Sequence, residues 1–269
     1  MIPSLRLAPT PSGYLHLGNG VNFALNALLA ERLGGRLLLR VDDLDAARLR
    51  PAYLDDLADT LHWLLPRRAD ELLRTAVYQS GRRERYRAAL ALLRDRGLLY
   101  ACACSRRDIR AAQEAAGLPF DVNAYPGTCR GAARALDQPD VAWRLRPDVG
   151  VRGDFVVRQR DGTPAYQLAS VVDDVDLGIT HVVRGVDLRA SSEMQRVLAQ
   201  ALARVAPQYA AFAKTKLIHH PLITDEAGRK LSKSAGSASL RTWREAGRDP
   251  GEVFALAARL APDLATLLR

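Results

Sequence analysis

The chain has 269 residues, 48% of them apolar and 26% charged, which suits a folded globular protein with one large or two modest domains and excludes a disordered one. Its 39 Lys and Arg against 30 Asp and Glu give a net charge of +9. That balance favours an acidic partner such as nucleic acid, although an Arg-rich codon bias inflates the same figure.

The opening MIPSLRLAPTPSG lacks the charged start and unbroken apolar run of a signal peptide, and the first apolar helix is cut by Glu31 and Arg32, far short of a membrane span. A cytoplasmic protein is expected. SLRLAP reads as a strand, TPSGYLHLGNG as a loop punctuated by Pro and Gly, VNFALNALLAERL as a helix stopped by Gly34-Gly35, and RLLLRVDD as a second strand. This is a βαβ unit, whose right-handed crossover makes the strands parallel and puts the loop and the helix start at the carboxyl edge, where ligands bind. No G-x-G-x-x-G follows the first strand, and no G-x-x-x-x-G-K-[ST] occurs, so neither a dinucleotide fingerprint nor a P-loop is the natural reading. HLGN stands there instead. His16 and Gly18, just ahead of the helix, face free N–H groups and a positive dipole end that attract phosphate, and Gly18 leaves room for an adenine or ribose. A surface His in a Gly-rich turn is the alternative.

The three cysteines, Cys102, Cys104 and Cys129, fall in YACACSRRDI and AYPGTCRG. Their clustering suits tetrahedral Zn²⁺, with Tyr125 the local candidate for a fourth ligand, and suits inert buried thiols as the alternative. Downstream come strands broken by a DG hairpin turn, a helix YQLASVVDD, a strand THVVRG, and a helix SSEMQRVLAQALARV with a Ser N-cap and Glu193 near its first turn. Residues 73–165 read as an insertion between two halves of one open sheet.

Only four lysines occur: Lys214, Lys216, Lys230 and Lys233. Two of them sit in KLSKS, where ammonium groups among small hydroxyls would follow the charge that grows on a departing pyrophosphate. A solvated basic loop is the bland alternative.

APTPSGYLHLGN and KLSKS resemble the two signature motifs of class I aminoacyl-tRNA synthetases, in order and about 210 residues apart. RLAPTPSGYLHLGN, LLRVDDLD, VYQSGRRERYRAAL and YQLASVVDD with HVVRGVDL resemble the glutamyl branch, over about residues 4–245. C-x-C followed by YPGTC resembles the zinc site of the glutamyl-queuosine tRNA(Asp) synthetases, and the short stretch after Ser234 leaves no room for the anticodon-binding domain of a glutamyl-tRNA synthetase.

The resemblance implies an α/β fold with a Rossmann-like (HUP-type) parallel sheet. Residues 1–72 and 166–225 would form the catalytic halves, 73–165 an inserted zinc subdomain, and 226–269 the KLSKS loop with a helical stem-contact region. It implies a ligase acting with ATP, Mg²⁺ and L-glutamate on tRNA(Asp) bearing queuosine, with one structural Zn²⁺ on Cys102, Cys104, Tyr125 and Cys129, and a monomer is expected. Arg6, Ala8, Thr10, Asp42, Tyr166 and Arg184 would hold glutamate. His16, Gly18, Asn19 and Lys233 would meet ATP, with His16, Gly18, Lys230 and Lys233 at the reacting phosphates. Thr10 stands where the family more often has Ser. Asp42 stands where it has Glu, so the carboxylate facing the substrate ammonium is one methylene shorter. A truncated synthetase charging a 3′ end, a related adenylate-forming enzyme and a non-catalytic tRNA-binding relative remain the alternatives.

Overall fold

The computed structural model describes residues 2–119, 121, 124–146, 154–223 and 239–261. In chain order the strands are β1 (Ser4–Leu7), β2 (Arg36–Val41), β3 (Val77–Tyr78), β4 (Leu99–Cys102), β5 (Ala142–Leu145), β6 (Val156–Arg158), β7 (His181–Gly185) and β8 (Lys216–His220). The helices are α1 (Leu17–Arg32), α2 (Pro51–Leu64), α3 (Ala69–Arg74), α4 (Arg83–Asp95), α5 (Arg106–Ala115), α6 (Tyr166–Asp176), α7 (Arg189–Ala203), α8 (Leu240–Glu245) and α9 (Gly251–Leu260).

The described residues group into two compact units. One draws on Met1–Gly81, Gly178–Arg189 and Thr215–Arg269, the other on Arg82–Leu177 and Ala190–Lys214. In this division α6 and most of α7 group with residues of the 73–165 segment.

In the first unit β1 pairs in parallel with β2, β2 with β3, and β7 with β8. The Ser4 N–H donates to Thr180 Oγ1 at 2.8 Å and the Thr180 N–H to the Ser4 carbonyl at 2.9 Å, which sets the entry to β7 beside β1. Every β1 residue is buried, as a strand flanked on both sides must be. Over the sheet, α1 buries Val21, Phe23, Ala24, Leu25 and Leu29, and Pro51 opens α2 at a position whose N–H has no helical partner to lose. The helix α1 starts at Leu17, four residues before the Val21 expected from its apolar spacing, so Leu17, Gly18 and Asn19 lie in its first turn and His16 is the N-cap.

In the second unit β4, β5 and β6 form an antiparallel sheet, with Leu99 opposite Leu145 and Trp143 opposite Arg158. The expected DG turn follows β6: Gly162 has φ +88° and the Thr163 N–H donates to Asp161 Oδ1 at 2.8 Å. Helix α7 begins at Arg189 rather than at the Ser expected as its cap, running on from a 3₁₀ turn at Val186–Leu188.

Two stretches of the glutamyl-branch pattern meet between α4 and α6. Asp173, fully buried, accepts the Tyr86 hydroxyl at 2.9 Å and Arg82 Nε at 2.7 Å, while Arg82 and Arg85 both grip Asp176. Tyr86→Phe is expected to lower stability by about 1 kcal/mol in urea unfolding, because Arg82 still meets the buried carboxylate; an unchanged midpoint would show that the hydroxyl contributes nothing.

Candidate active site and thiol cluster

Three residues expected to hold glutamate lie on neighbouring strands at the carboxyl edge of the first unit. Arg6 is next to last in β1, Asp42 directly follows β2, and Arg184 is next to last in β7; they are 4%, 7% and 4% exposed. The Asp42 N–H donates to the Pro9 carbonyl at 2.9 Å, which ties the end of β2 to the loop carrying Ala8 and Thr10. The Asp42 carboxylate is not held out for an ammonium group alone. Arg40, completely buried, forks onto it, Nε to Oδ1 at 2.6 Å and a terminal nitrogen to Oδ2 at 3.1 Å. Asp43 turns elsewhere, accepting the Ser80 N–H at 2.8 Å and its hydroxyl at 2.6 Å.

His16 is braced by its own helix, its N–H donating to Asn19 Oδ1 at 3.1 Å. A Cβ at Gly18 would lie 2.8 Å from His16 Cε1, so the missing side chain first makes room for the imidazole. Any side chain at position 18 would collide with that ring. Gly20 serves packing, since a Cβ there would meet Leu240 at 3.0 Å.

Asp56 was missed in the sequence. Only 2% exposed, it accepts the Leu15 N–H at 3.0 Å on Oδ2 and Arg244 at 2.9 Å on Oδ1, while Arg244 also donates to Thr60 at 2.6 Å. The Leu240 N–H donates to the Leu15 carbonyl at 2.8 Å and Ser239 bridges His16. One buried carboxylate therefore fixes the residue before His16 and the helix after the KLSKS segment. Its signal was a charged residue on the apolar face of α2, between Leu54 and Leu57 and one turn from Thr60 and Leu61. Lys230 and Lys233 fall in residues 224–238 and lie outside the described residues.

Asn22 Nδ2 donates to the Val183 carbonyl at 3.0 Å and lies 3.2 Å from His220 Nε2; His220 Nδ1 lies 2.8 Å from the Pro221 carbonyl. Burial pushes the His220 imidazole below its usual value, so the neutral ring, protonated at Nδ1, serves as acceptor for Asn22.

In the second unit Tyr166 opens α6 and is 40% exposed. The thiols of Cys102, Cys104 and Cys129 lie within 4.8 Å of one another, and the cluster could hold a metal ion. Tyr125 joins them, its hydroxyl 3.4 Å from Cys102 Sγ, 3.3 Å from Cys104 Sγ and accepting the Cys129 N–H at 2.9 Å. Burial pushes the Cys104 thiol up to about 11, with the Tyr125 hydrogen bond pulling the other way. For Cys129 burial also works upward, but hydrogen bonds from Tyr125, the Ala103 backbone and the other thiols prevail and bring it down to about 7. Burial, then the thiols, hold the proton on Tyr125.

Behind the cluster, fully buried Asp154 accepts Arg130 at 2.8 and 2.7 Å and the Tyr100 hydroxyl, and its carbonyl accepts Arg144 at 2.8 Å. Arg130 follows Cys129 directly, so this network fixes the third thiol.

The model of the tRNA synthetases class I (E and Q) catalytic domain matches residues 4–135 and 138–262. The chain belongs to this synthetase family. It is 42% identical to a glutamyl-Q tRNA(Asp) synthetase of Parasynechococcus marenigrum, over 94% of this chain and 81% of that one, and 40% identical to one from Symbiobacterium thermophilum, over 92% and 83%. Among solved structures it is similar to a glutamate-tRNA synthetase of Elizabethkingia anophelis (25% identity, TM-score 0.67) and one of Elizabethkingia meningosepticum in complex with its amino acid (26%, 0.67). It spans 88% of its own length but about half of those two chains, 53% of each. No described helix of the synthetase is long and apolar enough to cross a membrane.

Two outcomes follow for this synthetase. Asp42→Asn leaves a guanidinium buried against a neutral amide and is expected to cost about 3 kcal/mol of stability, so thermal unfolding must be measured beside glutamate affinity; an unchanged melting temperature would mean the Arg40 fork carries no weight. Elemental analysis is expected to find about one zinc per chain, lost in Cys102→Ser and in Cys129→Ser together with local order. A stable, metal-free wild type would leave the cysteines as core residues.

Proposed function

We propose that the enzyme activates L-glutamate with ATP and transfers it to the queuosine of tRNA(Asp). The relatives' names carry this reading: at about 40% identity over more than nine-tenths of the chain, they are glutamyl-Q tRNA(Asp) synthetases. In the first step a glutamate α-carboxylate oxygen attacks the α-phosphorus of Mg²⁺-bound ATP, the bond from that phosphorus to the bridging oxygen breaks, and pyrophosphate leaves with its electron pair. In the second, an acceptor hydroxyl attacks the acyl carbon, AMP departs, and the hydroxyl proton passes to solvent.

The chain's part is positioning and charge. Arg6 and Arg184, buried at the same sheet edge, offer one guanidinium to each end of a dicarboxylate, a bidentate fork that an amide would satisfy less well. Asp42 presents negative charge at that edge for the ammonium group, held in place by Arg40. Ala8 and Thr10 belong to the loop that follows β1, and Tyr166 is assigned to glutamate on the family resemblance alone. His16, Gly18 and Asn19, at the positive end of α1, take the nucleotide, with Lys230 and Lys233 on the departing pyrophosphate. Little side-chain acid–base chemistry is needed.

The donor set of three thiols and one phenol fits zinc: Cys102, Cys104, Cys129 and Tyr125 would hold a Zn²⁺ that orders the inserted segment. The enzyme acts as a cytoplasmic monomer, where tRNA, ATP and glutamate meet.

The test locates label after incubation with ATP and labelled glutamate. Transfer is expected to tRNA(Asp) containing queuosine, including molecules lacking the 3′ adenosine, and not to tRNA(Asp) without the modification. Transfer abolished by removing the 3′ adenosine would identify a 3′-charging synthetase instead.

A further inference from the structure

Three elements of the first unit meet at a single amide. Asn22, one turn beyond Gly18 on α1, sends one Nδ2 hydrogen to the Val183 carbonyl of β7 at 3.0 Å and the other to His220 Nε2, 3.2 Å away at the end of β8. Each contact borders a substrate role proposed above. Helix α1 opens with the residues that take the nucleotide, Val183 precedes Arg184, and from His220 the chain runs on to KLSKS.

The amide cannot turn over. Asn26, fully buried on α1, donates its own Nδ2 to Asn22 Oδ1 at 3.2 Å and to the Asn22 carbonyl at 2.8 Å, so a flipped Asn22 would set donor against donor there and its oxygen against the Val183 carbonyl. Asn22 therefore offers His220 a donor and nothing else. On the other side of the ring, Nδ1 lies 2.8 Å from the Pro221 carbonyl, which only accepts. A neutral imidazole protonated at Nδ1 satisfies both neighbours, whereas an imidazolium would point a second N–H at the Asn22 amide.

The surroundings give a positive ring little in return. Helix α1 turns the amides of Asn22 and Asn26 to this corner, Arg184 and its register partner His219 fall on the opposite face by strand alternation, and Lys216 lies at the far end of β8. Asp187, in the 3₁₀ turn after β7, brings the one charge among the described residues that favours the cation. Burial outweighs it and the Pro221 carbonyl together, and holds the imidazole below its usual value.

We infer that His220 is a positioning residue for adenylate formation: its neutral ring locks α1, β7 and the exit of β8 in one arrangement, and its protonation releases them. The inference rests on the glutamate-activating function proposed above and adds which group keeps the three elements in register and why acid disables it.

Glutamate-dependent ATP–pyrophosphate exchange tests the lock in two ways. At about pH 8, His220→Phe fills the space but offers Asn22 no acceptor, and kcat is expected to drop about tenfold; His220→Gln returns an acceptor oxygen and is expected to recover most of that loss. As pH falls, wild-type kcat is expected to decline to about a tenth one unit below the midpoint of the ring itself, followed by NMR of the His220 ring carbons, with circular dichroism certifying the fold. His220→Gln has no titrating ring, so the ratio of its kcat to that of wild type is expected to rise about tenfold over the same interval. Phe and Gln variants that exchange equally fast at about pH 8, or a ratio flat with pH, would each overturn the positioning role. Should His220→Phe fail to fold, the pH ratio of the Gln variant decides alone. A wild type without exchange at any pH would instead overturn the glutamate-activating function, and the inference with it.

Discussion

A carboxylate taken out of water must be met by donors from more than one direction, and both units are organised around groups of this kind. Asp56 gathers the backbone before His16 and the guanidinium of Arg244; Asp173 gathers Tyr86 and Arg82; Asp154 gathers Tyr100 and Arg130. Each is at most 2% exposed. Removing one donor leaves a charge without water or partner, a cost of several kcal/mol that a packed apolar pair does not carry. The penalty is also directional, because a carboxylate accepts in its own plane and fixes the angle of each element that reaches it. Apolar packing alone would allow α8 to slide along α1, whereas the Asp56–Arg244 pair together with Leu240 on Gly20 leaves one register.

That register matters because the chemistry asks for little else. Adenylate formation and acyl transfer need groups held at fixed distances around charge that moves from carboxylate to pyrophosphate. On the proposed reading the edge of the parallel sheet would supply this, since Arg6 and Arg184 sit within paired strands and Asp42 directly follows one. Arg40 completes the arrangement by holding Asp42 from below. The shorter carboxylate at 42 is therefore a member of a buried pair first, and whatever it offers a substrate is shaped by that pair.

The sequence revealed what depends on neighbours along the chain. The βαβ opening, the DG turn at Gly162, and the bringing together of Cys102, Cys104, Cys129 and Tyr125 follow from period, turn chemistry and local spacing. It was less clear where a side chain answers to a distant partner. The start of α1 was misplaced because Leu17 to Gly20 carry two glycines, which propensity reads as loop, whereas His16 and Leu240 fill the space above them. Asp56 finds Arg244 far down the chain, a pairing no local pattern encodes. The Arg40–Asp42 pair was readable in principle, since residues two apart along an extended chain share a face.

The thiol cluster adds a constraint of its own. With Cys129 brought down to about 7 and Cys104 raised to about 11, Cys129 is partly thiolate near neutrality while Cys104 keeps its proton, and the phenol of Tyr125 keeps its own because burial opposes an anion there. Three thiolates and a phenolate crowded together without a cation would repel one another at short range in a medium of low dielectric. Zinc, on the proposed reading, would resolve this by displacing those protons as it binds, starting from Cys129, the thiol that gives its proton up most readily. Its affinity would then rise with pH through the range in which Cys104 remains protonated without the metal. The choice of a phenol for the fourth donor fits the same balance, because a protonated tyrosine can stay buried beside the thiols as a neutral hydrogen-bonding group until the metal arrives.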